Sequence, residues 1–177
     1  ASDFAIDGEE LFDLRIQRVD PQFRVEGILV AGLQPPTGQY PDGSESLAQF
    51  YGRVLERARS LPGVAGAAIA DSPPLVGGGG GASPFAVVGR PIPPIGTQAV
   101  ALRHIVSEGF FDLIGVRVTA GRDFNASDTR ESPQVVVINE TMARQAFPDR
   151  DPIGQRLVTG MLQRQAEVIG VVSATRS

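Results

Sequence analysis

Apolar residues recur along this chain with two different periods. Between residues 44 and 61 they fall at Leu47, Phe50, Tyr51, Val54, Leu55, Ala58 and Leu61. Steps of three and four gather these positions on one side of a helix. Ser44 or Ser46 can cap its start, Ser46 and Gln49 have the spacing of a capping box, and Pro62-Gly63 ends it. Two short apolar runs flank the helix, GILVAGL at 27–33 and VAGAAIA at 64–70. Each reads as a buried strand. The helix covers about 25 Å at 1.5 Å per residue, and a strand of seven or eight residues covers about the same at 3.3 Å each. The lengths predict a strand-helix-strand unit with parallel strands and a right-handed crossover.

Outside this unit the pattern is finer-grained. Leu11, Phe12, Leu14, Ile16 and Val19 predict a short helix over 11–20, stopping before Pro21 because the residue preceding proline avoids the α region. Residues 34–43 hold three prolines and two glycines and form a loop. Residues 71–84 hold three prolines and the five consecutive glycines 77–81. Strands are predicted at 85–88 and 99–106, separated by the stiff turn RPIPPIG, and then at 116–119, 134–138, 155–159 and 167–173. Short helices are predicted at 108–113 and 139–146. Residues 120–134 are polar and turn-rich, and no internal repeat is visible.

Composition narrows the functional classes. The 177 residues are 42% hydrophobic and 20% charged, which suits one folded domain or one domain of two lobes. Trp is absent, so Val, Ile, Leu and Ala fill most of the core. A net charge of −4 without a basic cluster argues against nucleic acid as a partner. The absence of cysteine excludes disulfides, thiolate metal sites and thiol nucleophiles. No run reaches the roughly 20 apolar residues that span a bilayer.

Candidate chemistry is sparse. Gly77, Gly79 and Ala82 satisfy a loose G-x-G-x-x-A, but such a loop must join a strand directly to a helix, and here an extended segment follows. No Gly-Lys-Ser/Thr follows either, so the run is not a phosphate-binding P-loop. A flexible loop is the reading of the glycine run. His104, the only histidine, lies in the alternating stretch ALRHIV, which puts Leu102, His104 and Val106 on one face. It has no HxH, HExxH or G-x-S-x-G motif beside it, so it reads as a structural or surface residue. The carboxylates are scattered, and only geometry decides whether two of them form a hydrolytic pair. Asn125-Ala126-Ser127 and Asn139-Glu140-Thr141 match the glycosylation sequon, a pattern common by chance. No catalytic, cofactor-binding or metal-binding residue is assigned, and no cofactor is expected.

Several segments of the chain are nevertheless familiar as a set. They are FYGRVLERARSLPGVAGAAIADSPPL at 50–75, FAVVGRP at 85–91, VSEGFFDLIGVRVTAGRDF at 106–124, VVVINETMARQAFPDRDPIGQRL at 135–157 and EVIGVVSATR at 167–176. In this order they resemble the MacB-like periplasmic core domain of ABC transporter permeases, within the FtsX/MacB superfamily and nearest the large permeases of acidobacterial type. The resemblance covers residues 11–176. It implies an α+β fold with a porter-like strand-helix-strand lobe at 25–74 and a β-rich Sabre-like lobe at 75–177. Residues 1–24 would be a lead from a membrane helix or an addition for expression. Family members usually continue with a further strand-helix-strand, so with the sequence stopping at Ser177 either the porter-like lobe is incomplete or this is an excised portion.

By the same resemblance, the domain stands on the periplasmic face of the bacterial inner membrane and is not an enzyme. ATP hydrolysis would belong to a separate nucleotide-binding domain. The implied partners are the rest of the permease chain with its transmembrane helices, an ABC ATPase subunit, and a periplasmic adaptor or cargo, in a transporter that is a dimer. The rival readings are a free-standing periplasmic binding module and a small carboxylate-dependent hydrolase. The residues of the resemblance also have plain structural uses. Asn139 can cap the helix that follows, Ala143, Ala146 and Phe147 give that helix an apolar edge, Pro148 stops it, and Pro152-Ile153-Gly154 turns into the next strand. Gly109 and Gly121 permit tight turns.

Overall fold

The computed structural model describes residues 4–6, 10–14, 27–36, 38–41, 44–72, 81–94, 96–159 and 164–173. Three strands, β1 (Phe4–Ile6), β2 (Glu10–Leu14) and β3 (Ala31–Gly32), form a small antiparallel sheet in that order. The expected helix over 11–20 is therefore corrected to a strand over its first turn. Phe12 and Leu14, separated by Asp13, satisfy a period of two as well as a helical one, and antiparallel neighbours on both sides decide between them. Residues 15–20 lie outside the described residues.

Helix α1 (Glu45–Arg59) follows the sequence pattern closely. Ser44 is the cap, its hydroxyl accepting from the Leu47 amide at 3.1 Å. Ser46 instead contacts the Ser44 hydroxyl at 2.9 Å, and Gln49 donates to Glu45 at 3.1 Å, so the Ser46–Gln49 box is not used. Phe50 is the buried residue of the helix, with the Tyr40 and Tyr51 rings 4.9 and 5.5 Å away. At the other end Ser60 donates to the Arg57 carbonyl at 2.8 Å, and Gly63 takes a φ of 84° that a side chain would disfavour.

The parallel strand pair around α1 is not formed among the described residues. β3 pairs with β2, and residues 64–70 run without a ladder until Ala70, which bridges Val106 in antiparallel sense. Five of these seven residues are Gly or Ala, which have weak strand propensity and little surface to pack on a sheet. They are held instead by what they lie against. Arg59 donates twice to the Ala67 carbonyl, at 3.0 and 3.3 Å, and Ala68 and Ala70 pack with Phe110, Ile114 and Val116.

The main sheet holds β4 (Gly81–Val87), β5 (Ala99–Arg103), β6 (Val118–Gly121), β7 (Val135–Asn139), β8 (Arg156–Thr159) and β9 (Arg164–Val172). Its path is β5-β4-β8-β9-β6, with β7 also on β9. All pairings are antiparallel except β7 with β9. Two short helices accompany it, α2 (Phe110–Leu113) and α3 (Glu140–Ala146). The strand expected over 99–106 ends at Arg103. Beyond it, Ser107 donates to the Ile69 carbonyl at 2.8 Å, Asp71 donates to the Ile105 carbonyl at 2.9 Å, and the chain leaves β4.

β7 and α3 form as their residues dictate. Asn139 ends the strand and caps the helix, accepting from the Met142 amide at 2.8 Å. Ala146 and Phe147 are buried, and Gly154, at φ 79°, donates to Val168 across the turn into β8.

β9 joins the two halves of the core. Val168 and Val171 pack with Val87, Ile138, Ala146, Phe147 and Leu157, whereas Val172 packs with Phe110, Ile114 and Val116. In a regular strand, residues three apart would face opposite sides. Here the register against β7 shifts, with Val136 opposite Val168 but Val137 opposite Gly170. Ile169 is thus an extra residue, a bulge that turns Val171 back to the side of Val168. A Cβ at Gly170 would overlap the Arg122 carbonyl oxygen, and one at Gly121 the Ile169 carbonyl oxygen. The Arg122 amide donates to that same Ile169 carbonyl at 2.9 Å.

The loop after β6 is closed by charge. Arg122 makes a bidentate contact with Asp128, at 2.7 and 2.8 Å, and the Asn125 amide donates to the same carboxylate at 2.9 Å. The Arg122 hydrogen bond, helped by the Asn125 amide and the guanidinium charge, holds the Asp128 carboxyl below its ordinary range.

Gly170→Ala lowers stability by about 1–3 kcal/mol through overpacking, whereas Gly52→Ala, mid-helix with open space around it, raises it by about 0.5–1 kcal/mol. Urea unfolding midpoints check both, and a shift of the same sign in the two variants would refute the contrast. Because the folded carboxyl of Asp128 titrates below its unfolded value of about 3.9, its stabilisation is complete above that value and fades as pH falls through the folded pKa. The stability gap between wild type and Asp128→Asn should narrow steadily when unfolding is followed from pH 6 down to about pH 2; a gap independent of pH would remove the ion pair as its source.

Candidate functional site

The bridge between Ala70 and Val106 places the lone histidine beside a carboxylate. His104 Nδ1 lies 3.9 Å from Asp71 Oδ1, with the two side chains 37% and 34% exposed. That distance is beyond a hydrogen bond, and solvent screens the pair. Ser107 supplies one hydroxyl of this junction, and its oxygen already accepts from the Ile69 amide at 2.9 Å. A general base needs a donor within reach and a nucleophile aimed at a substrate position. Among the described residues, the His104 corner has neither arrangement. It works as a junction between the 64–72 segment and the sheet.

The strand alternation expected through His104 is also interrupted. Leu102 is exposed, while Val106 is half-buried against Phe110 and its neighbours. Arg103 is the last residue of β5, so the two sides of the stretch ALRHIV belong to different pairings.

A second group of charges surrounds the start of the 121–134 loop. Burial pushes the Asp123 carboxyl above its ordinary range, the Phe124 amide at 2.6 Å pulls it back, and the negative charges of Glu108 and Asp112 push it up further. Stacking of Phe111 on Phe124, centroids 6.2 Å apart, ties this loop to α2. Among the described residues, no three His, Cys, Asp or Glu side chains are grouped so as to hold a metal ion.

The remaining motifs of the sequence have local roles. Asn125 accepts from the Ser127 amide at 2.8 Å and its hydroxyl at 2.6 Å, a turn inside the loop, and Asn139 is the α3 cap. Of the glycine run, 77–80 lie outside the described residues. Gly81 and Ala82 open β4, an extended strand, where a phosphate loop would need a helix. The Arg122–Asp128 clasp is the interaction that sequence reasoning passes over. Its only local signal is the turn chemistry of Asn125, Ser127 and Asp128. No helix among the described residues is long and apolar enough to cross a membrane.

The sequence pattern of the MacB-like periplasmic core domain matches residues 11–177. A macrolide export ATP-binding/permease protein MacB of Neisseria gonorrhoeae is 33% identical over 91 residues, which are 51% of this chain and 14% of that protein. The MacB 1/2 protein of Paracoccus denitrificans is 37% identical over 78 residues, 44% of this chain and 11% of that protein. The chain therefore spans only a small part of the curated relatives it matches. Among solved structures, the periplasmic region of MacB from Actinobacillus actinomycetemcomitans superposes with a TM-score of 0.49 at 20% identity, covering 68% of this chain and 49% of that one. The extracellular domain of the ABC-type transporter YknZ from Gram-positive bacteria gives a TM-score of 0.49 at 18% identity, covering 69% and 56%. With a family match running from residue 11 to residue 177, the chain belongs to the MacB-like periplasmic core domains of ABC transporter permeases.

Proposed function

We propose that this chain is the extracytoplasmic, periplasmic-face domain of an ABC-type permease, and that it couples ATP-driven motion to a periplasmic partner or substrate. The observation that carries this reading is the family match over residues 11–177. ATP is hydrolysed elsewhere in the assembly, by a nucleotide-binding domain, and the chain itself performs no chemistry. Its partners are the rest of the permease with its membrane helices, the ATPase, and an adaptor or cargo, in a dimeric transporter. Residues 25–74 serve as the porter-like lobe and 75–177 as the Sabre-like lobe.

The physical character of the domain suits transmission. A coupling element must move as a body, which requires hydrogen-bonded sheet and dense apolar packing between its ends. β9 supplies this by pairing with β6, β7 and β8 while packing into both core clusters. Arg59 links the end of α1 to the 64–70 segment, and Ala68 and Ala70 of that segment touch the second cluster. Arg59 and the 64–70 segment thus connect α1 with the second cluster on β9.

The test uses the absence of cysteine. In the full-length parent protein, with any cysteines outside this domain replaced, Ser127→Cys on the exposed loop should react with a membrane-impermeant maleimide in cells whose outer membrane alone is permeabilised. Labelling that required rupture of the inner membrane would overturn the placement. In the same protein, His104→Ala should change ATP turnover and transport by no more than about twofold, as for surface substitutions generally. A loss of a hundredfold or more would restore a catalytic reading.

A further inference from the structure

Among the described residues β5 is the terminal strand of the main sheet, and its outer edge has an unusual combination of properties. Its register against β4 sets Arg103 opposite Gly81, Leu102 opposite Ala82, Ala101 opposite Ser83, Val100 opposite Pro84 and Ala99 opposite Phe85. Antiparallel pairs alternate between those that exchange two hydrogen bonds and those that exchange none. Pro84 has no amide hydrogen to exchange, so the Pro84–Val100 pair is of the second kind. By alternation the Ala82–Leu102 pair is too. The N–H and C=O groups of Val100 and Leu102 must then point away from β4, off the end of the sheet. Among the described residues no strand or turn takes them up.

The side chains of the same two residues are 61% and 68% exposed. They lie on one face, two residues apart, beside Pro84 and Ala82. Natural sheet edges are ordinarily blunted by proline, by a bulge, or by a charge in mid-strand. In β5 the sequence is AVALR, the proline sits on the inner neighbour, and the one charge stands at the end. The β4–β5 hairpin itself carries charge of one sign, and at its Arg103 end Asp71 lies 3.9 Å from His104. No Asp or Glu occurs between Asp71 and Glu108, whereas Arg90 and Arg103 fall within that stretch.

We propose that the outer edge of β5 is a docking site for an extended, acidic segment of a partner protein, which adds to the sheet as a further strand through the backbone groups of Val100 and Leu102. The free backbone groups select an extended chain. Exposed Val100 and Leu102 select apolar residues at alternate positions of that chain. Arg103, exposed at the end of β5, selects an acidic residue at the position of the added strand beside it. This inference stands on strand geometry and charge and does not depend on the permease reading.

The test is fluorescence anisotropy with a labelled, end-capped decapeptide alternating valine and glutamate, against a control alternating valine and lysine. The purified chain should bind the glutamate peptide saturably, and the lysine peptide at least about tenfold more weakly. Leu102→Pro deletes an outward amide without touching the β4 ladder, so it should weaken binding by about tenfold or more with an unchanged circular dichroism spectrum. Arg103→Glu, which leaves the backbone alone, should weaken the glutamate peptide and strengthen the lysine peptide. The proposal is overturned if the glutamate peptide shows no saturable binding, if the two peptides bind equally, or if folded Leu102→Pro binds as wild type. It is also overturned if the chain instead self-associates with rising concentration and Leu102→Pro abolishes that association, since the occupant would then be a second copy.

Discussion

The fold depends on the bulge at Ile169. β9 has to face two apolar clusters with one strand and pair with three others, and a strictly alternating strand cannot turn both Val168 and Val171 to the same side. The extra residue solves this locally. It also brings the Ile169 carbonyl round to the Arg122 amide and leaves so little room that Gly121 and Gly170 both accept a neighbouring carbonyl where a Cβ would stand. The entry of the Arg122–Asp128 loop is fixed by the same contact. Packing on two faces, the path of β6 and the start of the loop all converge on four consecutive residues of β9, from Val168 to Val171.

The functional character of the molecule follows from where polar groups are placed. His104 and Asp71 sit exposed at a junction, Ser107 is bonded to the backbone, and the Arg122–Asp128 pair closes a loop. These groups hold the chain's connections in register. The core beneath them is built of Val, Ile, Leu, Phe and Ala from every strand of the main sheet's centre.

Much of this was legible in the sequence, and the parts that were not share a cause. α1, the Asn139 cap, α3 and the strands β7, β8 and β9 follow from periodicity and local end signals, because their partners are near in sequence or their apolar pattern is strong. The resemblance carried by the segments from 50 to 176 identified the family. Local pattern failed where a distant partner decides. The segment 11–14 becomes strand because β1 and β3 flank it, and 64–70 loses its strand because its small residues are taken by Phe110 and Arg59. The Ile169 bulge gives no sequence sign beyond Gly170, and the pairing of Arg122 with Asp128 rests on geometry that spacing alone does not reveal.

The two core clusters differ in how much chain they enclose. The first draws its members from Phe85 to Val171, most of them from the strands and helix after Val135. The second joins Ile28 to Val172, with Ala68, Val106 and Phe110 between. Closing a longer loop costs more chain entropy before any contact repays it. The β7–α3–β8–β9 half therefore closes the shorter loops, and the second cluster, which reaches back to Ala68 and Ile28, the longer ones. In native-state hydrogen exchange the amides of β9, paired on both sides and buried, should be among the last to open.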